Sequence, residues 1–178
     1  MSRPRSGTRQ RIQEVARDLF LQQGVQRTSL QDIADQLGIT KPALYYHFAS
    51  REELVRSILV PLIDEGEQFV DDQERRGDTD ARTLLEGYFD FHYRHRQDLV
   101  LVLAELTMLA DLGLIDKVLA WRDRLGKLVF GPEPTLEQST RAVVAFGGLQ
   151  DCCLQFPDTP YEALRATSVK AALAALGV

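Results

Sequence analysis

The apolar positions between residues 28 and 37 predict a short amphipathic helix. They recur at intervals of three and four along one helical face, as Leu30, Ile33, Ala34 and Leu37. Thr28 and Gln31 have the spacing of a capping box and therefore predict where this helix begins. Gly38 is predicted to end it, because glycine readily adopts the left-handed conformation that follows many helices.

A second helix is predicted over residues 40–48, directly after this turn. Thr40 can cap it, and Pro42 suits its first turn because proline there gives up only a donor without an intrahelical partner. Leu44 and Phe48 lie four residues apart and are predicted to face the core. The opposite face carries cationic, small and aromatic residues, namely Lys41, Ala43, Tyr45, Tyr46 and His47. This face is either a binding surface or, alternatively, a cover for the edge of the core.

Apolar periodicity predicts helices along the rest of the chain, and no segment resembles a strand. The nine predicted helices cover about residues 9–23, 28–37, 40–48, 50–72, 81–96, 99–110, 114–129, 135–156 and 160–176. Pro61 is expected to bend the fourth of them. Residues 99–110 are almost entirely apolar, which predicts a helix enclosed by others, and residues 73–80 are predicted to form a loop. The predicted fold class is therefore all-α.

Charge is unevenly distributed along the chain. Residues 1–56 hold nine Lys or Arg against six Asp or Glu, and residues 57–178 hold twelve against twenty, within a net charge of −5. This division suits a chain that meets phosphates with its first part only, and we therefore place the domain boundary between residues 56 and 57. Four arginines near the N-terminus either add phosphate contacts or form a solvated tail: Arg3, Arg5, Arg9 and Arg11.

Residues 8–59 resemble the DNA-binding domain of the tetracycline-repressor (TetR) family of bacterial transcription regulators. The resemblance is carried by the leading helix and by the segments TSLQDIADQLGI, TKPALYYHF and SREELV. It implies an N-terminal three-helix domain containing a helix-turn-helix, followed by a helical domain for ligand binding and dimerisation. It further implies a homodimeric repressor that binds a palindromic DNA operator through residues 40–48 and is released by a small-molecule effector.

The resemblance also implies a role for each matching position in the first domain. The implied phosphate contacts come from Thr28, Ser29, Lys41, Tyr46, His47 and Arg51. The implied base contacts come from Gln31, Pro42, Ala43 and Tyr45. Ala43 replaces the glycine or polar residue of many members, and Arg51 replaces a lysine. Base recognition by hydrogen bonds is therefore expected to be sparse.

The resemblance also implies that the last two predicted helices pair with those of a second subunit. Their start signals are Thr135 with Gln138, and Thr159 with Pro160 and Glu162. The candidate interface residues are Val143, Gly147, Gly148, Ala171 and Ala174. Paired glycines in a helix cost about 1 kcal/mol each relative to alanine, and close approach of a second helix would offset this cost. The alternative is that the glycines open space for a ligand.

The second domain also contains candidates for an effector pocket. They are Tyr88, Phe89, His92, Tyr93, Glu105, Met108, Trp121, Phe146, Cys152 and Cys153. Large apolar residues at helical spacing generally fill the interior, so each of them is equally a candidate for the core. Glu105 and Asp151 interrupt apolar segments, and a buried carboxylate needs a partner, which is either an arginine of the fold or a ligand.

Several other classes of protein are disfavoured. The polar N-terminus and the lack of a long apolar stretch point to the cytoplasm. No cofactor or metal is expected, because adjacent cysteines do not bridge easily and the histidines lack ligands at metal spacing. No catalytic signature is found, so no enzyme is expected. The alternatives left open are a ligand-independent repressor, a thiol switch at Cys152 and Cys153, and an all-helical enzyme.

Overall fold

A computed structural model describes residues 5–77 and 80–178, and it confirms the all-α fold class. Those two ranges contain no strand. The ten α-helices are α1 (Arg5–Gln23), α2 (Leu30–Leu37), α3 (Lys41–Tyr45), α4 (Arg51–Arg76), α5 (Ala81–Arg94), α6 (Arg96–Ala104), α7 (Leu106–Asp111), α8 (Leu114–Phe130), α9 (Leu136–Gln155) and α10 (Tyr161–Leu176). A three-residue 3-10 helix covers Val25–Arg27. Within the described ranges, none of these helices combines the length and the apolar content needed to cross a bilayer.

The chain folds as two compact units. The first unit comprises the described residues up to Leu62 together with Gln97–Leu106. The second unit comprises Ile63–Arg96 and Thr107–Val178. Compactness does not by itself identify a functional domain, so the boundary after residue 56 stays a prediction.

The start of α2 differs from the sequence prediction by one residue. Ser29, not Thr28, is the N-cap, since the Ser29 hydroxyl accepts the Asp32 N–H while the Asp32 carboxylate accepts the Ser29 N–H. Thr28 is buried and donates its hydroxyl to the Gly24 carbonyl at 2.9 Å. The predicted end of α2 is confirmed, because Gly38 follows it with a φ of 65°.

Helix α3 is shorter than the nine residues predicted for it, because it ends at Tyr45. Its predicted start is confirmed, since the Thr40 hydroxyl accepts the Ala43 N–H and Pro42 lies in the first turn. Leu44 and Phe48 are completely buried, as their spacing predicts. The chain after Tyr45 stays turned toward the core, because the N–H of Phe48 donates to the Leu44 carbonyl at 3.0 Å.

The apolar segment 99–110 is not the enclosed helix that its composition predicts. It is broken at Glu105 into α6 and α7. Its exposed side chains include Val100 at 44%, Leu103 at 54% and Leu106 at 48%. Apolar content therefore indicated a helix correctly, but it did not indicate how much of that helix neighbouring elements cover.

Two further boundaries correct the predictions. Helix α4 continues through Pro61 and ends at Arg76, so residues 73–76 of the predicted loop are helical, while residues 78 and 79 lie outside the described residues. Pro160 is the N-cap of α10 rather than its first helical residue. The capping box of Thr135 and Gln138 at the start of α9 is confirmed.

The core of the second unit is formed by side chains from α4, α5, α8, α9 and α10. Its completely buried residues include Phe89, Leu125 and Phe146. The six-membered ring of Trp121 packs against α4 at Gly66, where a side chain would clash with the indole. The indole N–H donates to the Glu67 carboxylate at 2.7 Å, which fixes the orientation of the ring.

Replacing Gly66 by alanine should destabilise the second unit, because the added methyl carbon would lie 2.4 Å from Cη2 of Trp121. Forcing extra atoms into a packed site typically costs about 1–3 kcal/mol. We expect the free energy of unfolding in urea to fall by that amount. The control Gly7→Ala adds a methyl with no atom within 4 Å and should not lower it. Equal stability of the two variants would contradict the packing of Trp121 on Gly66.

Candidate nucleic-acid interface

The outer face of α3 presents a compact set of exposed side chains. Lys41, Pro42 and Ala43 are exposed. Tyr45 and Tyr46 are 45% and 68% exposed, although both are aromatic. The structure thus brings five of the predicted DNA-contacting residues onto one surface, opposite the buried side chains of Leu44 and Phe48.

A cationic group lies close to aromatic rings on this surface. The Lys41 ammonium lies 5.8 Å from the centre of the Tyr45 ring, within the range of a cation–π contact. The rings of Tyr46 and His47 meet edge to face at 5.3 Å. A helix end with a cation, two flat rings and a small Ala43 can place donors on phosphates while its rings and methyl group pack on bases.

The two predicted contact residues of α2 are exposed but already hydrogen-bonded along their own helix. The Ser29 hydroxyl donates to the Asp32 carboxylate at 2.8 Å, and the backbone N–H of Ser29 lowers the pKa of that carboxyl. The Gln31 amide donates to the Asp35 carboxylate at 2.6 Å. Gln31 would have to exchange this partner for a base edge, and its role in recognition stays a prediction.

Thr28 and Arg51, both predicted to contact phosphate, use their polar groups inside the first unit. The Thr28 hydroxyl is buried and bonded to the chain. Arg51 donates to the carbonyls of Val25 and Gln26, at 3.3 and 3.2 Å, and to the Gln26 amide oxygen at 3.0 Å. Arg51 therefore ties the start of α4 to the turn before α2, and a phosphate contact would have to be additional.

Gln26 is a structural residue that the sequence analysis missed. Its amide accepts from Arg51 and donates to the Glu105 carboxylate at 3.1 Å. These partners are distant along the chain, so no local spacing could have revealed them. Glu105 is only partly buried, and its partner within the fold is this glutamine amide rather than the arginine expected for a buried carboxylate.

The N-terminal arginines are not equivalent. Arg3 and the side chain of Arg5 lie outside the described residues. Arg11 is exposed, whereas Arg9 donates to the His47 carbonyl at 2.8 Å. Two arginines of the same predicted arm therefore have different surroundings.

Comparison with known proteins identifies the region that carries this surface. Residues 12–58 match the family described as bacterial regulatory proteins of the tetR family, and they include α2, α3 and the start of α4. Residues 12–58 are thus a domain of the TetR family.

Curated proteins that resemble this chain are named as transcription regulators. The repressor KstR2 of Rhodococcus jostii is 39% identical over 61 residues, which are 34% of this chain and 30% of the relative. The activator FasR of Mycolicibacterium smegmatis is 35% identical over 92 residues, 49% of this chain and 42% of the relative. The matches thus span less than half the length of either relative.

Two solved structures share the fold over almost the whole chain. AmtR of Mycobacterium smegmatis gives a TM-score of 0.76 at 21% identity and covers 99% of this chain and 89% of that one. KstR2 of Mycobacterium tuberculosis gives 0.74 at 21% identity and covers 96% and 93%. The predicted order of a helix-turn-helix domain and a helical domain is therefore confirmed.

The predicted effector-pocket residues do not form one group. Those buried within the core of the second unit are Tyr88, Phe89, His92, Trp121, Phe146 and Cys153. Tyr93, Met108 and Cys152 are partly buried, and Glu105 belongs to the first unit. An open groove of about 480 Å³ lies in the second unit between α4 and α5, and none of the predicted residues lines it. Their role in a pocket stays a prediction.

The two cysteines lie on α9 and differ in burial. Cys152 is partly buried, and Cys153 is buried in the core. Burial raises the pKa of the Cys153 thiol to about 12. Since the thiolate is the reactive form, Cys153 is a poor redox group and serves as a small core residue.

The predicted dimer-interface residues lie on the outer faces of α9 and α10. Val143, Gly148, Ala171 and Ala174 are exposed, and Gly147 is partly exposed. A methyl built on Gly148 meets no atom within 4 Å. Packing within the chain therefore does not require a glycine here. Glycine weakens a helix relative to alanine, and no contact within the chain offsets that cost.

His92 is a titratable group buried between aromatic rings. Its ring lies 4.1 Å from that of Tyr88, and its Nδ1 donates to the Tyr88 carbonyl at 2.9 Å. Burial lowers the pKa of His92 to about 4, and the charges of Arg122 and His95 act in the same direction. His92 is therefore neutral in the folded protein at neutral pH.

Acid should destabilise the fold through His92. Below pH 6.5 the unfolded chain binds a proton there before the folded chain does, so stability falls until the folded pKa near 4 is reached. The loss across this range is about 3 kcal/mol. Urea denaturation should therefore show a smaller loss for His92→Asn than for the wild type. An equal loss in both proteins would contradict a buried, neutral His92.

Proposed function

We propose that this protein is a dimeric transcriptional repressor that binds an inverted-repeat DNA operator through the outer face of α3. The observation that carries the proposal is the division of α3 into two faces. Leu44 and Phe48 are completely buried, which directs Lys41, Ala43 and Tyr45 outward. Such a helix can enter a major groove without disturbing the core beneath it.

The distribution of charge supports DNA as the partner. The basic excess lies in residues 1–56, the part that includes α3, while the remainder is acidic. Phosphate contacts supply much of the affinity for DNA, and an acidic body opposes adsorption in other orientations. We also propose that the protein acts in the cytoplasm and that it represses genes. Repressor is the term used for the relative KstR2.

Dimerisation is supported by the composition of the exposed face of α9 and α10. Val143 and Val144 are more than half exposed, and Gly148 lies beside them. Glycine allows two helices to approach closely, and valine supplies apolar area to bury. Two DNA-binding domains held by such an interface would match DNA half-sites whose centres lie about one helical turn, roughly 10 base pairs, apart.

We further propose that a small molecule bound in the second unit releases the DNA. The candidate residues for this site are the predicted ones that lie in the second unit, where the Tyr88 ring contacts those of both His92 and Phe146. Ligand-independent repression is the alternative, because these side chains pack tightly on one another. Screening metabolites for compounds that both stabilise the protein and lower its DNA affinity separates the two functions.

The primary test is selection of DNA fragments from the source genome by the purified full-length protein. We expect a duplex with an inverted repeat, bound more tightly than a scrambled duplex of equal length. Lys41→Gln should weaken binding to both duplexes alike and reduce the salt dependence, the slope of log K against log salt, by about 0.9 for the lost phosphate contact.

The matched control for this variant is Lys127→Gln, which removes the same charge from an exposed position of α8. It should leave both affinities unchanged. If Lys41→Gln bound DNA as the wild type does at every salt concentration, α3 would not be the DNA-contacting helix. If the wild type selected no fragment, the proposal of a DNA-binding regulator would fall.

Gly148→Glu should convert the dimer to a monomer, because it places a charge at the centre of an apolar face without disturbing the subunit. Light scattering after size exclusion measures the mass directly. Ala120→Glu introduces the same charge at an exposed position of α8 and should leave the dimer intact. A dimeric Gly148→Glu protein would remove this face from the interface.

A further inference from the structure

Arg9 lies on α1, but its side chain ends on the residues that follow α3. Its Nη1 donates to the His47 carbonyl at 2.8 Å. Its guanidinium carbon lies 4.1 Å from the centre of the Phe48 ring, so the planar group covers that ring. One arginine thus satisfies a carbonyl near the end of α3 and packs on the aromatic residue that anchors α3 in the core.

The backbone that carries Arg9 is itself fixed to the rest of the first unit. Four residues further along α1, Gln13 donates to the carbonyl and hydroxyl oxygens of Ser57 on α4, at 3.1 and 2.9 Å. One turn beyond that, Arg17 donates to the Asp98 carboxylate on α6 at 2.6 Å. Since residues four apart share one helical face, a single polar stripe of α1 contacts three other segments of the unit.

Helix α3 needs an external contact of this kind. It has five residues, and so short a helix gains little from its own hydrogen bonds. The last carbonyls of any helix also lack intrahelical donors. Fixing the chain at His47 and Phe48 therefore restricts the orientation of the side chains just before them, including Tyr45 and Tyr46.

We propose that Arg9 is a positioning residue of the DNA-reading surface, which holds the end of α3 in place and does not act by contacting phosphate. This inference rests on the proposed function, since it assigns Arg9 a part in DNA recognition. It replaces the expectation that Arg9 belongs, like Arg11, to a basic arm. The contact itself is a property of the folded chain and can be tested without DNA.

The two possible roles of Arg9 respond differently to lysine. A phosphate contact needs a positive charge, which Arg9→Lys retains. Stacking on Phe48 together with a hydrogen bond to His47 needs the planar guanidinium, which lysine lacks. Arg9→Lys should therefore resemble Arg9→Gln if Arg9 positions α3, and resemble the wild type if Arg9 contacts phosphate. Arg11→Gln is the matched control, because Arg11 is exposed on the same helix.

The first measurement is amide hydrogen exchange of the full-length protein without DNA. The backbone N–H groups of Tyr46, His47 and Phe48 donate to the carbonyls of Pro42 and Leu44. Both Arg9 variants should exchange these protons at least about fivefold faster than the wild type, as expected for loss of a hydrogen bond. Arg11→Gln should exchange them at the wild-type rate. Unchanged exchange in Arg9→Lys would overturn the proposal.

The second measurement compares affinities for the selected duplex and its scrambled counterpart. Both Arg9 variants should lose preference for the selected duplex by at least about fivefold, the same factor by which the end of α3 is loosened. Affinity for the scrambled duplex should change no more than in Arg11→Gln. Equal losses on both duplexes in Arg9→Gln, with wild-type binding by Arg9→Lys, would establish a phosphate contact and overturn the proposal.

Failure of the proposed DNA-binding function would give a different result from failure of the proposal for Arg9. A wild type that bound neither duplex would remove the DNA-binding role, and with it the part of Arg9 in recognition, whatever the exchange rates. Should Arg9→Gln not fold, Arg9→Lys decides both measurements, because it preserves the charge and most of the side-chain volume.

Discussion

Burial of Leu44 and Phe48 is the constraint on which the proposed DNA-binding surface depends. A five-residue helix has little stability of its own, so its orientation is set by the side chains that anchor it. Both anchors are completely buried, and the positions between and before them must point outward. The exposure of Tyr45 is therefore a consequence of packing. The residues that stabilise the first unit also determine which side chains form the outer face of α3.

Positive charge in the sequence is a poor measure of positive charge offered to a ligand. Arg51 has three hydrogen bonds to the turn before α2, and Arg9 has one to the His47 carbonyl. Both guanidinium groups therefore connect helices of the first unit. Lys41, by contrast, is exposed beside a tyrosine ring. Recognition of a fixed groove geometry needs side chains held in defined positions, and contacts between helices contribute to this.

Local rules predicted most of the fold because they act over one or two helical turns. The left-handed Gly38, the cap at Thr40 and the four-residue spacing of Leu44 and Phe48 are all of this kind. Thr28 was misassigned as a cap because the neighbouring Ser29 satisfies the same rule equally well. The partners of Arg51, and the extent to which neighbouring elements cover residues 99–110, depend on distant parts of the chain. Neither feature can be predicted from the spacing of residues along the sequence.

Two glycines of the second unit differ in what surrounds them. Gly66 is explained within the chain, because the Trp121 ring occupies the space that a side chain would need. Gly148 has no such neighbour, although glycine weakens a helix by about 1 kcal/mol relative to alanine. Since Val143 and Val144 are exposed on the same helix, an apolar surface from outside the subunit would offset both features at once. The proposed dimer would supply that surface in self-complementary form, and it would double the number of α3 helices that can meet DNA.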